Sequence, residues 1–179
     1  MATKGQLLDM SPVGMKFTVL QSGADTAGKL LDLHWELLPG CNMKDPLIHM
    51  HPHAIESYEV LDGEMEFFVK DKWFRVNKGG KLAVPAGVTH CFRNPTDQHV
   101  MVFNTHSPAL RMENYFEDVC IVLDKLTENR TKGFTMNLRT KLYMSVLMNN
   151  YREEIIARNP PDAAIKLLGF VSKLLGINY

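Results

Sequence analysis

His49-Met50-His51-Pro52-His53-Ala54-Ile55-Glu56, running on to Gly63, sets three imidazoles and a carboxylate within eight residues of a chain that holds seven histidines in all. On an extended strand, residues two apart point to the same face, so His49 and His51 aim at one point in space. The chain must then turn before Glu56 can join them from the next strand. Neutral imidazole with carboxylate is the donor set of a divalent transition metal. A fourth donor is to be sought elsewhere, and a second run, Gly79 to Asn94, carries His90. Two neighbours compete for these roles. His53 shares parity with His49 and His51, whereas Glu59 has the opposite strand parity to Glu56, which favours Glu56 as the carboxylate.

The two runs resemble the paired motifs of the cupin family. The first reads His49-x-His51, four residues, Glu56, six residues, Gly63; the second reads Gly79, five residues, Pro85-x-Gly87, two residues, His90, three residues, Asn94. The glycine expected six residues before His49 is missing. Gly40 stands nine before it, so the entry loop is a few residues longer. The resemblance spans roughly residues 15–106. It implies a mainly β protein, an antiparallel jelly-roll β-barrel that holds one divalent transition metal (iron, manganese, nickel, copper or zinc) through His49, His51, Glu56 and His90. It also makes His53 a loop residue, since Pro52 follows His51, and leaves it a place in the pocket.

The flanking sequence agrees with many short strands. Leu31, Leu33, Trp35 and Leu37 alternate with Asp32, His34 and Glu36, the pattern of a half-buried strand, which makes His34 a surface residue. Residues 1–12 read as a lead-in and 13–20 as a strand. Asp62-Gly63 signals a tight hairpin, with 64–69 running back. Lys70-Asp71-Lys72 and Asn77 to Gly80 are further turns, and 100–105 closes the sheet. Frequent turns between short strands argue for a barrel or sandwich. The set expected to face inward near the metal is Tyr58, Val60, Phe67, Phe92 and Phe103, with His53, a mainly apolar pocket around one polar centre. Arg93, His99 and His106 read as surface positions.

From Pro108 the texture changes to helical spacing. Met112, Tyr115, Phe116, Val119, Val122, Leu123 and Leu126 form one apolar stripe, and Met144, Leu147, Met148, Tyr151 and Ile155 form another over 138–156. Asn159-Pro160-Pro161-Asp162 precedes a last helix over about 163–175, apolar around more than half its circumference. The division is a barrel over 1–107 and a helical extension over 108–179, packed on the barrel, across its mouth, or against a second subunit in a homodimer. The methionines of the extension suit an adaptable packing surface.

Composition narrows the classes. The 179 residues carry no net charge, which disfavours a nucleic-acid surface. Three widely spaced cysteines fit a reducing compartment rather than a disulfide framework. With neither a signal-like apolar N-terminus nor an apolar run of membrane-spanning length, a cytoplasmic protein is expected. No nucleophile with a matching base is evident, so any chemistry must run mainly through the metal. Three histidines and a glutamate leave a six-coordinate metal two open positions. The expected function is that of an oxygen-dependent oxidoreductase of dioxygenase type acting on a small organic molecule. Metal-assisted isomerisation or decarboxylation, and non-catalytic binding or sensing of a small ligand, are the alternatives.

Overall fold

The computed structural model describes residues 2–44 and 46–179; Met1 and Asp45 lie outside the described residues. The chain runs β1 (Leu7–Met10), a single 3-10 turn, β2 (Met15–Gln21), β3 (Leu31–Leu37), β4 (Ile48–Met50), β5 (Ile55–Asp62), β6 (Glu64–Val69), β7 (Lys72–Asn77), β8 (Lys81–Val84), β9 (His90–Arg93) and β10 (Val100–Ser107). Then come α1 (Met112–Leu126), α2 (Leu138–Asn150), β11 (Ile156–Asn159) and α3 (Asp162–Leu174). The strands form two antiparallel sheets, ordered β1-β2-β3-β10-β5-β8 and β11-β4-β9-β6-β7. This is the jelly-roll arrangement, as two sheets rather than one closed ladder.

Alternation explains why the sheets face each other. On β3, Leu31, Leu33, Trp35 and Leu37 are buried while the residues between them are half-buried. Rings cross the gap: Trp35 lies 5.1 Å from Phe92 of the other sheet, and Tyr58 lies 4.8 Å from Phe67. Such aromatic pairs contribute about 0.5–1.5 kcal/mol each beyond simple burial.

Three local expectations are corrected. The lead-in contains β1, whose Leu8 and Met10 point inward; two apolar positions are too few for a period to register. Asp62-Gly63 is not a hairpin. Both edges of β5 are taken, by β10 and β8, so β6 must leave for the other sheet. Gly63 makes that corner at φ +80°, where a Cβ would stand 3.1 Å from Val100 Cγ2 and 3.2 Å from the His99 carbonyl oxygen. Finally, the helix expected over 138–156 ends at Asn150. Tyr151 and Ile155 keep helical spacing because the Ile155 N–H still donates to the Tyr151 carbonyl (2.9 Å). The chain then extends as β11 beside β4, placing Ala157 opposite His49.

The helices pack on the sheets. Phe116 of α1 meets Phe17 edge-on at 5.1 Å, and buried Glu113 accepts the Gly23 N–H at 2.9 Å, tying the start of α1 to the turn after β2. α3 buries Ile165, Gly169 and Ser172 and leaves Leu167, Phe170 and Leu174 exposed. Among the described residues, no helix is long and apolar enough to cross a membrane.

Candidate metal centre

The donors come from three strands or their margins. β4 carries His49, and His51 follows it directly. β5 presents Glu56 on its inward face, and β9 opens with His90. His49 and His90 face each other across the single β4–β9 bridge. The Pro85-x-Gly87 bend brings His90 beside His49, and the Gly87 N–H is bound to the His51 carbonyl at 2.8 Å. One donor atom from each of His49, His51, Glu56 and His90 lies within 4.8 Å of the others, and all four residues are buried.

Hydrogen bonds aim the imidazoles. His49 Nδ1 lies 2.9 Å from the Leu47 carbonyl, His90 Nδ1 3.0 Å from that of Val88, and His51 Nδ1 2.6 Å from that of Glu154. A carbonyl only accepts, so each neutral ring must carry its proton on Nδ1 and turn the Nε2 lone pair inward. Yet His51 Nε2 and His90 Nε2 stand 2.9 and 2.8 Å from the same Glu56 Oε2. Lone pair then meets lone pair unless a proton or a cation lies among them. A divalent metal satisfies every donor at once, so the residues present fit such an ion.

The charges lean the same way. Burial opposes ionisation of Glu56, but His106, His51 and the hydrogen bonds from His51 and His90 hold its carboxyl well below the usual range. Burial also opposes protonation of His51, yet the Glu56 charge and its hydrogen bond raise it above an ordinary histidine. His49 is pushed well below, by burial first and then by His90 and His51, and so stands neutral. Asn104 Nδ2 donates to Glu56 Oε1 at 2.9 Å, steering the carboxylate from its far side.

The centre opens onto a cavity of about 950 Å³. His49, His51, Glu56 and His106 line one part of it, Phe17, Trp35 and Phe92 supply barrel walls, and Met112, Phe116 and Met148 border it from α1 and α2. Residues of the extension thus line the cavity together with the barrel walls.

Of the residues expected to shape the pocket, Phe92 lines this cavity. Tyr58, Val60 and Phe67 are buried between the sheets and are not among its lining residues. His53 is exposed and pairs with Glu153 on the surface at 3.0 Å, because Pro52 turns it away from the line of His49 and His51. Phe103 points outward against His34 and Glu59 of its neighbouring strands. The inward residues of β10 are Val100, Val102, Asn104 and His106. His106, read from the sequence as a surface residue, is 1% exposed and stands 3.4 Å from Glu56 Oε1. Its strand parity with Val102 was the available signal. Glu154 gave none, since it sits within a run of helical spacing. Arg93 and His99 lie outside, paired with Glu66 and Glu36.

Two sheets, a buried His₃Glu cluster that could hold a metal ion and an apolar chamber beside it define a jelly roll with a candidate metal site. Comparison with known proteins agrees: residues 33–106 match the model of the Cupin_2 family, the cupin domain. That match supports a cupin domain over this stretch of the chain. No curated protein sequence matches it. Among solved structures, an RmlC-like cupin from Shewanella frigidimarina is 21% identical with a TM-score of 0.51, over 63% of this chain and 92% of that one. The Cnp3 cupin domain of Schizosaccharomyces pombe is 24% identical (TM-score 0.48) over 61% and 72% of the two chains. A predicted oxalate decarboxylase from Thermotoga maritima is 21% identical (TM-score 0.48) over 52% and 80%.

Proposed function

We propose that this protein is a metal-dependent enzyme that oxidises a small organic molecule with dioxygen, with His49, His51, Glu56 and His90 as the metal ligands. The observation that carries the reading is the set of three buried imidazoles, each proton-locked to a carbonyl, converging with Glu56 at the edge of a mainly apolar chamber. When bound there, a divalent metal supplies Lewis acidity and, if iron, manganese or copper, one-electron redox chemistry. The residues do the rest. The three carbonyls hold the imidazole protons away from the centre, Asn104 orients Glu56, and the aromatic and methionine walls exclude water from the reacting end of the substrate. No separate acid–base pair lies among the lining residues, consistent with chemistry concentrated at one centre.

A second reading is a binding or sensing protein, favoured by the helices that line the cavity, since α1 and α2 would feel whatever fills it. One experiment separates the two. Protein purified anaerobically without an affinity tag is analysed for metal, then screened by oxygen uptake with candidate substrates. One equivalent of iron or manganese and substrate-dependent oxygen consumption are expected. Protein that carries no metal and takes none up on titration would overturn the enzyme reading.

A further inference from the structure

Among the described residues, Trp35 Nε1, Tyr58 OH and Asn104 Oδ1 are buried without a partner, and His106 is the side chain with two such atoms. Its side chain is 1% exposed, it lines the cavity, and neither ring nitrogen has a hydrogen-bond partner among the described residues. Its nearest charged atom, Glu56 Oε1 at 3.4 Å, is not placed to form a hydrogen bond. Other neighbours give it rings rather than partners, with Phe116 at 6.0 Å and His51 at 5.0 Å between centroids. An imidazole buried without partners is costly, because it has given up its water and gained nothing in return. A ligand in the chamber removes that cost.

The chamber says what kind of ligand. Its volume of about 950 Å³ lies near the top of the roughly 300–1,000 Å³ range of sites for drug-sized molecules. A six-atom diacid, at roughly 30 Å³ per heavy atom by the scale of water, would fill a small fraction of it. Phe116 stands beside His106, and the chamber is lined mainly by apolar side chains, Phe17, Trp35, Phe92, Met112 and Met148 among them, which match an apolar body. The Glu56 carboxylate beside His106 repels a second anion at that end. An uncharged hydroxyl, by contrast, both donates and accepts, and meets either ring nitrogen.

We propose that His106 binds the hydroxyl of a largely apolar, drug-sized organic molecule seated in this chamber beside Glu56. The assignment deepens the enzyme reading and takes from it only that the chamber is the ligand site. His106 is thus a positioning residue for substrate, set apart from the four metal ligands.

The test compares three size-matched probes, 2-naphthol, 2-methylnaphthalene and 2-naphthoate, by equilibrium binding to the full chain as purified. Wild-type protein is expected to bind 2-naphthol at least about tenfold more tightly than either of the others, the discrimination one hydrogen bond supplies. His106→Phe is expected to lose that preference while binding 2-methylnaphthalene as well as wild type and keeping its metal content. His106→Gln, which retains a donor and an acceptor, should restore most of it. Equal binding of the three probes by wild-type protein, or preference for 2-naphthol surviving in His106→Phe, would overturn the proposal. The wild-type comparison needs no variant to fold. Because metal content is measured separately, a metal-loaded protein without probe preference sinks this inference alone. A metal-free protein that keeps the preference sinks the enzyme reading alone.

Discussion

The three imidazoles of the centre are held in two different ways. His49 and His90 each give Nδ1 to a carbonyl two residues earlier in the barrel sequence, at Leu47 and Val88. His51 gives its own to Glu154, 103 residues later, in the turn between α2 and β11. Two rings are therefore aimed by the strands that carry them, and the third by the helical extension. The difference teaches that the centre is not a property of the barrel alone. The extension lines the cavity, adds β11 beside β4, and supplies the outer hydrogen bond of one candidate ligand.

The largest effect should come from the barrel half. Replacing His90 by alanine removes a donor and leaves buried Glu56 with one partner fewer. Metal content should fall from one equivalent to below about a tenth, and stability should drop by about 3–5 kcal/mol, as for a broken buried pair. His51→Ala should act alike, because it removes a ligand whichever region aims it. Metal analysis and urea unfolding check both. Full occupancy in either variant would end the assignment of ligands.

How much of this was legible in the sequence follows from which groups act locally. His49, His51 and Glu56 fall within one short run, where spacing brings them into reach; His90 was legible through the resemblance of its Pro-x-Gly run to the second cupin motif. β3 was legible because its inward residues are apolar and its outward ones charged. β10 misled for the opposite reason. Asn104 and His106 face inward and Phe103 faces outward, so polarity there runs against burial. A strand that serves a polar site inverts the pattern by which strands are recognised. The Glu154 carbonyl was beyond reach altogether, since a backbone oxygen has no signature in sequence and its segment keeps helical spacing to Ile155.

The extension's share can be isolated at Arg111, just before α1. Its Nε donates to Glu154 Oε1 at 3.0 Å and its Nη2 to Oε2 at 3.3 Å, while Nη2 also reaches the Asn150 carbonyl at 3.0 Å. It stacks over Tyr151 at 5.0 Å. One side chain thus clamps the turn that presents the Glu154 carbonyl to His51. Arg111 is 57% exposed and Glu154 only 3%, so water can replace part of what the guanidinium gives. Arg111→Ala should cost about 1 kcal/mol of stability, the low end for exposing an unpaired buried acceptor. Metal affinity should fall by up to about tenfold, less than the roughly 10–100-fold for losing an outer partner outright, because the Glu154 carbonyl stays and only its clamp is removed. Arg111→Lys should recover part of it. Unchanged affinity in Arg111→Ala would reduce the extension to a cavity wall.

The variants expected to affect metal binding least sharpen the comparison by striking each region away from the metal centre. Gly63→Ala forces a side chain into the left-handed region against Val100 and the His99 carbonyl, at a cost of about 1–3 kcal/mol. Asn137→Ala removes the side chain that caps α2 by accepting the Thr140 N–H at 3.0 Å, at a cost of about 1 kcal/mol. What matters is the shape of the unfolding curve. Phe17, Trp35 and Phe92 of the barrel share one continuous core with Phe116, Leu147 and Tyr151 of the extension, so the two regions should unfold together. Both variants should then shift a single urea transition, whether it is followed by helix circular dichroism or by tryptophan fluorescence from Trp35 and Trp73, both in the barrel. A helix signal that melts earlier than the tryptophan signal in Asn137→Ala, but not in Gly63→Ala, would mark the extension as a separate cooperative unit. The His51 anchor could then be lost while the barrel remained folded, leaving His49 and His90 aimed and His51 free to turn.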